Sequence, residues 1–94
     1  MHPLIETHRR ELLSIAHRLG LSDVRVFGSM ARGDVDDESD VDLLVTLGPG
    51  ATGLALGGLL MDAQALLGRK VDVVTEQSLH PAIRDEVLAE AIAL

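Results

Sequence analysis

Three aspartates stand at positions where β-strands normally carry apolar residues. Asp40 and Asp42 lie in a predicted strand over residues 40–47, and Asp72 lies in another over residues 70–75. Aspartate is depleted in strands, and a carboxylate among apolar groups is costly unless a cation or hydrogen bonds compensate it. Together the three aspartates predict a divalent-metal site that faces a chain of phosphates.

The spacing of Asp40 and Asp42 puts both side chains on one face of the strand, with Cα atoms about 7 Å apart. Carboxylates this close repel each other unless a cation lies between them, and a hard cation with oxygen ligands removes the conflict. If the strand that carries Asp72 is a neighbour, Asp72 faces the same pocket. The three could then hold two Mg²⁺ ions roughly 3.5–4 Å apart for phosphoryl or nucleotidyl transfer. Asp72 could also accept the proton of an attacking hydroxyl.

A glycine–serine pair, Gly28-Ser29, precedes Asp40 by ten intervening residues. Glycine allows a backbone to approach a phosphate closely, and the amides that open a following helical turn bind anions. The Ser29 hydroxyl is one more donor. Arg32 has two equally good interpretations, a phosphate contact and an ion pair with the acidic segment that follows.

Each of these motifs is weak alone, because most Gly-Ser pairs are turns and Asp-x-Asp occurs in many loops and calcium sites. Their ordered combination is far more specific. The acidic loop over residues 34–39 is interpreted as a solvated turn. It lacks the glycine and terminal glutamate of a 12-residue calcium loop. The four histidines show no metal-ligand spacing and are assigned no role.

Composition limits the classes of function. The chain has 94 residues, 47% of them apolar, which predicts a single domain over residues 1–94 with an aliphatic core, since Phe27 is the only aromatic residue. A formal charge of −7 argues against direct nucleic-acid binding and favours a basic partner protein or bound cations. The absence of cysteine excludes disulfides and thiolate metal sites. The absence of a signal pattern and of a long apolar run predicts a cytoplasmic protein without membrane association.

The elements that must position the aspartates follow from apolar spacing. Helices are predicted over 3–19, over 53–67 and from Pro81 onward, and strands over 24–27, 40–47 and 70–75. One helical turn is predicted directly after Ser29. This order predicts a small α/β (α+β) fold, with a mixed three-stranded sheet and helices packed against it.

The last predicted helix carries a wide apolar stripe. Its members are Ile83, Val87, Leu88, Ala91 and Ile92. Two interpretations remain, a half-buried C-terminal helix and a docking surface for another protein.

The motifs resemble those of a known superfamily. The glycine–serine pair at 28–29, the Asp-x-Asp at 40–42 and Asp72 in a later strand look like the polymerase-β-type nucleotidyltransferases. Within that superfamily, segments 28–33 and 39–45 resemble the minimal nucleotidyltransferase (MNT) family of stand-alone prokaryotic domains. The resemblance spans the whole chain and implies a polymerase-β-like nucleotidyltransferase core. Residues 48–58 depart from it by being unusually rich in glycine.

The resemblance also implies roles for individual residues. Asp40 and Asp42 would ligate Mg²⁺, and Asp72 would be the third ligand and the base. Gly28 and Ser29 would bind the triphosphate of ATP.

In function, the resemblance implies an antitoxin. Many family members are encoded beside a HEPN-type toxin, usually an RNase, and transfer AMP from ATP to a tyrosine of that toxin. The expected activity is therefore Mg²⁺-dependent protein adenylylation within a hetero-oligomer. The alternative is a non-catalytic antitoxin that neutralises its partner by steric occlusion. Transfer to a small molecule such as an antibiotic ranks last, because larger relatives use an added helical domain for that.

Overall fold

The computed structural model of the chain describes residues 1–33 and 39–94. The acidic turn predicted for Asp34, Asp36, Asp37 and Glu38 therefore lies outside the described residues. The elements in chain order are α1 (Pro3–Thr7), α2 (Arg9–Arg18), β1 (Leu21–Phe27), α3 (Ser29–Arg32), β2 (Val41–Leu47), α4 (Gly53–Leu67), β3 (Val71–Thr75), a 3-10 turn (Glu76–Ser78), α5 (Pro81–Glu90) and β4 (Ile92–Ala93).

The strands form one mixed sheet in the order β3-β2-β1-β4. β1 is antiparallel to both β2 and β4, whereas β2 and β3 are parallel. The mixed sheet with packed helices is confirmed. The predicted number of three strands is wrong, because a fourth strand follows α5.

That fourth strand also corrects the predicted end of the last helix. α5 ends at Glu90, and Ile92 pairs with Val26 instead of continuing the helix. The N–H of Leu94 donates to the carbonyl oxygen of Val24 at 2.9 Å. These bonds satisfy backbone groups on the open edge of β1, which would otherwise be unpaired.

The two faces of the sheet carry different cores. The larger core cluster combines Val26, Val41 and Leu43 with residues of α1, α2 and α4. On the opposite face, a smaller cluster packs Leu44 against Leu79 and Val87. Inward orientation of Val41, Leu43 and Val45 is confirmed. Inward orientation of Leu47 is wrong, since this last residue of β2 is 39% exposed.

The apolar stripe of α5 is only partly covered. Val87 is buried and Leu88 packs beside it, but Ile83 is 46% exposed. Ile92 no longer belongs to the helix. The half-buried interpretation therefore describes the middle of α5 and leaves its start open to solvent.

Two histidines have structural roles that sequence reasoning missed. Nδ1 of His2 accepts the N–H of Leu4 at 3.0 Å, and Nδ1 of His80 accepts the N–H of Ala82 at 3.0 Å. Each histidine therefore caps a helix that opens with proline. A third histidine, His8, separates α1 from α2, where one continuous helix over 3–19 was predicted.

The glycine-rich segment forms an ordinary helix from Gly53 onward. Thr52 caps it, because its hydroxyl accepts the N–H of Leu54 at 3.3 Å. Gly68 ends it in the left-handed conformation, as predicted. Among the described residues, no helix is both long enough and apolar enough to cross a bilayer.

Candidate active site

Asp42 and Asp72 are direct neighbours across the parallel strands β2 and β3, because the strand register pairs their Cα atoms. Paired residues of adjacent strands lie about 4.8 Å apart and project to the same face. Two residues further along, Leu44 and Val74 pair in the same way and join the smaller core cluster. The two carboxylates therefore lie on the α5 face of the sheet, where β2 and β3 begin. The prediction that Asp72 lies on the same face of neighbouring strands as Asp42 is confirmed.

The two carboxylates differ in their access to solvent. Asp42 is half-buried, whereas Asp72 is exposed. A group that arrives from solvent therefore meets Asp72 first. The pair thus combines an inner carboxylate with an outer one.

Asp40 lies just before β2, two residues from Asp42. Its Oδ2 is 3.9 Å from Nζ of Lys70, the residue directly before β3. Both side chains are largely exposed, so this ion pair contributes little to stability. Lys70 nevertheless places a positive charge beside Asp40, a contact that the sequence did not predict.

The pKa of Asp42 reflects the electrostatics of the site. Burial is the largest cause that raises the pKa of Asp42 above its ordinary value of 3.8. The negative charges of Asp72, Asp40 and Glu90 raise it further, in that order of importance, and the positive charge of Arg32 lowers it. Mutual repulsion of this kind is what a divalent cation relieves.

The donor set fits a hard cation, because it consists of carboxylate oxygens whose charges oppose one another. In the part of the chain that the structure describes, no three acidic, histidine or cysteine side chains are placed closely enough to surround one ion. Assignment of Asp40, Asp42 and Asp72 as metal ligands therefore stays a prediction.

Gly28 lies against Asp42. β1 and β2 pair Phe27 with Asp42, which brings the turn after Phe27 to the carboxylate. Gly28 has φ +70°, and a Cβ atom built on it would lie 2.5 Å from Oδ2 of Asp42. Glycine is thus required here for its backbone angle and for the space that the carboxylate occupies.

The helical turn that follows Gly28 is anchored in the core by a buried side chain. α3 follows Gly28 as a single turn, and its Met30 is fully buried. The N–H groups of Ala31 and Arg32 donate to the carbonyl oxygen of Gly28 at 3.1 and 3.2 Å. The first amides of a helical turn, here those of Ser29 and Met30, have no partner within the turn. They are the donors that the predicted triphosphate contact needs.

Glu90 is a site residue that sequence reasoning missed. Its Oε1 accepts the N–H of Gly28 at 2.6 Å, and its Oε2 pairs with Nη1 of Arg32 at 3.1 Å. The ion pair of Arg32 with Glu90 was not predicted, and the predicted alternative, an ion pair with the acidic segment over 34–38, lies outside the described residues. No sequence signal identified Glu90, because it stood in a segment predicted to be plain helix.

A sizeable cavity in the described part of the chain does not coincide with this site. It has a volume of about 440 Å³, lies between α2 and α4, and is lined by residues that include Arg10, Ile15 and Leu66. These helices cover the opposite face of the sheet from Asp42. On the α5 face, Asp72 is exposed and Asp42 is half-buried.

Comparison with known proteins decides the family. The family model described as nucleotidyltransferase domain matches residues 5–94. The chain belongs to the nucleotidyltransferase domain family. It is therefore an enzyme of nucleotidyl transfer.

Two relatives of this nucleotidyltransferase are similar along nearly their whole length. "Putative protein adenylyltransferase MJ0435" of Methanocaldococcus jannaschii is 37% identical over 84 residues, which cover 89% of this chain and 90% of the relative. "Protein adenylyltransferase MntA" of Thermococcus cleftensis is 36% identical over 89 residues, covering 95% and 87%.

A solved structure with 43% identity supports the same family. It is described as "Structure of putative minimal nucleotidyltransferase" and has a TM-score of 0.87, and the match covers 100% of this chain and 97% of that one. The resemblance to minimal nucleotidyltransferases is confirmed. A second, "Crystal structure of the toxin-antitoxin with AMP-PNP", has a TM-score of 0.74 at 20% identity and covers 89% of this chain and 69% of that one. At that identity the likeness shows a shared fold alone.

Asp42→Asn is expected to stabilise the fold at neutral pH by up to about 1 kcal/mol, a small value because the carboxylate is partly solvated. A raised pKa means that ionised Asp42 is less favourable in the folded than in the unfolded chain. The resulting cost appears as the pH rises through the folded-state pKa, and it vanishes below pH 3.8, where both states are protonated. Thermal unfolding at pH 7 and pH 3 without divalent cations measures the difference.

The matched control is Asp62→Asn on the exposed side of α4, which makes the same change in net charge. It separates relief of local repulsion from a general effect of charge. If Asp42→Asn lowers the melting temperature at pH 7, the ionised carboxylate of Asp42 does not destabilise the folded chain.

Proposed function

We propose that this protein is a Mg²⁺-dependent protein adenylyltransferase that transfers AMP from ATP to a tyrosine of a HEPN-type toxin and thereby neutralises it. The observation that carries the proposal is the pairing of Asp42 with Asp72 on neighbouring strands, directly beside Gly28. The two relatives named as protein adenylyltransferases support AMP as the transferred group and a protein as the acceptor.

The proposed metal ligands are Asp40, Asp42 and Asp72. Bound there, Mg²⁺ would offset phosphate charge and stabilise the oxygens that gain charge during transfer. The amides that open α3, together with the Ser29 hydroxyl, bind and orient the triphosphate. Arg32 adds a positive charge at the same turn.

Asp72 is the proposed base, because it is the outer carboxylate of the pair. It accepts the proton of the acceptor hydroxyl as the oxygen attacks the α-phosphorus of ATP. A bond forms between that oxygen and the α-phosphorus, the bond between the α-phosphorus and its bridging oxygen breaks, and pyrophosphate leaves.

A protein acceptor suits the open position of the site. Asp72 is exposed and lies away from the cavity between α2 and α4, so a tyrosine on a folded partner can reach it. The formal charge of −7 favours a basic partner. The solved structure described as a toxin–antitoxin with AMP-PNP shares this fold, which makes a toxin the first acceptor to test.

The test is mass spectrometry of a HEPN-type toxin after incubation with this protein, ATP and Mg²⁺. We expect additions of AMP mass on a tyrosine. We expect none when ATP is replaced by its α,β-methylene analogue, because a carbon bridge between the α- and β-phosphorus atoms prevents release of pyrophosphate. Unmodified toxin after prolonged incubation, with the toxin shown to bind this protein, would remove the proposal.

A second candidate function is neutralisation by steric occlusion. The exposed Ile83 at the start of α5 favours it, because this apolar side chain could be covered by a partner. Under occlusion, Asp40→Asn with Asp42→Asn should still protect cells from the toxin. Loss of protection with an intact complex would instead require catalysis.

A further inference from the structure

The carboxylate of Glu90 contacts both Gly28 and Arg32, the first and last residues of the proposed phosphate-binding turn. Glu90 accepts the N–H of Gly28 through one oxygen and pairs with Arg32 through the other. The 2.6 Å bond is short, as hydrogen bonds to ionised acceptors are. The Glu90 side chain is only 24% exposed, so water competes weakly for it.

The fold places Glu90 there through the register of β4. Arg25 pairs with Ala93 and Val26 with Ile92, in antiparallel order. Continued by two residues, the same register sets Glu90 opposite Gly28. The two-residue strand therefore brings the last residue of α5 to the turn that follows β1.

The contacts of Glu90 suggest what it does there. The Gly28 N–H is already engaged, so Glu90 fixes the orientation of the peptide that leads into α3. Its second oxygen pairs with the guanidinium of Arg32 at 3.1 Å, which places a positive charge at the turn. Because Gly28 and Arg32 are already ordered, less conformational entropy is lost when a triphosphate binds.

We propose that Glu90 is a positioning residue for the nucleotide: it holds the Gly28 turn and Arg32 in the arrangement that receives the triphosphate. This inference rests on the proposed nucleotide site and goes beyond it, because it assigns the C-terminal segment a part in substrate binding. Glu90 acts through Gly28 and Arg32 and does not itself touch the substrate.

The test is calorimetric titration of the full chain with ATP and Mg²⁺, with no acceptor present. Glu90→Gln keeps an acceptor for the Gly28 N–H and loses the ion pair, so we expect about tenfold weaker binding. Glu90→Ala loses both contacts, and we expect weakening on the order of 100-fold. If melting temperatures stay above the titration temperature for both variants, the graded order with partial rescue by glutamine reports nucleotide binding and not a general loss of stability.

Glu86→Ala is the matched control, since Glu86 lies one helical turn earlier on α5, is exposed and carries the same charge. It should bind ATP like the unmodified chain. A double-mutant cycle with Arg32→Ala adds a second readout, because the effect of Glu90→Gln should largely disappear when Arg32 is absent.

The outcomes separate the two levels of the proposal. If the unmodified chain binds ATP and Glu90→Gln and Glu90→Ala bind it equally well, the positioning role is overturned and the nucleotide site stands. Tighter binding by either variant also overturns it, because Glu90 would then compete with the phosphates. If the unmodified chain does not bind ATP, both the site and the role of Glu90 fail. Should Glu90→Ala not fold, Glu90→Gln decides.

Discussion

Asp42→Asn is expected to lower the rate of nucleotidyl transfer by roughly a thousandfold, because Asp42 is a proposed Mg²⁺ ligand and loss of such a charge removes several kcal/mol of transition-state stabilisation. Asp42 is the inner carboxylate of the pair and lies against Gly28, so its replacement should affect both the proposed metal site and the proposed phosphate site. Single-turnover rates of AMP transfer, measured at saturating ATP and Mg²⁺, check the prediction.

Two features make this variant informative. Asparagine keeps the shape of aspartate, and the fold should gain stability from the change, so lost activity is not lost structure. Asp62→Asn should keep the full rate, because Asp62 lies on α4, on the opposite face of the sheet from Asp42. Transfer by Asp42→Asn within tenfold of the unmodified enzyme would contradict the assignment of Asp42.

Gly28→Ala is expected to reduce transfer by on the order of 100-fold and to destabilise the fold by about 1–3 kcal/mol. The added Cβ would lie 2.5 Å from Oδ2 of Asp42, so the carboxylate or the turn must shift. The positive φ of +70° adds backbone strain. A small displacement of positioned groups is enough to lower a rate by this factor.

Two control variants separate the causes in Gly28→Ala. Gly50 shares a positive φ of +80°, but a Cβ built there has no atom of the described residues within 4 Å, so Gly50→Ala tests strain without the clash. Gly57 lies within α4 with the same open space, and Gly57→Ala should stabilise the helix by up to about 1 kcal/mol. Transfer rates and melting temperatures of all three variants make the comparison. If Gly28→Ala and Gly50→Ala behave alike, contact with Asp42 is not what requires glycine at position 28.

The placement of the aspartates was predictable because it follows from local rules. Alternation along a strand sets the face of Asp42, and the apolar neighbours of Asp72 identify its strand. The sequence alone does not show whether the strands that carry Asp42 and Asp72 are adjacent. The observed pairing of Asp42 with Asp72 shows that they are. The roles of these residues in catalysis and metal binding stay predictions.

Glu90 was not predictable in the same way. Its position depends on β4, a two-residue strand that exists because β1 offers an open edge. Ala91, Ile92 and Ala93 carry no turn signal, so the helical pattern of α5 continues through them in the sequence. Contacts that depend on such nonlocal pairing lie beyond periodicity and propensity alone.

The helix boundaries likewise differ in whether a residue in the sequence signals them. Gly68 ends α4 and Pro81 opens α5 as predicted, because each residue has a backbone preference of its own. The break at His8 has no such local cause in the sequence. There Nδ1 of His8 lies 2.9 Å from the carbonyl oxygen of Leu4, a local contact that apolar spacing does not predict.

The most direct measurement of the central claim is an NMR titration of the ¹⁵N-labelled chain with ATP and substoichiometric Mn²⁺ in place of Mg²⁺. Paramagnetic broadening falls steeply with distance from the ion, so it maps the ion onto the fold. We predict that the amides of Gly28, Asp42 and Asp72 broaden first, while that of Met61 on α4 stays sharp. Early broadening of Asp40 and its chain neighbours with a sharp Asp72 signal would contradict a site shared by the two strands.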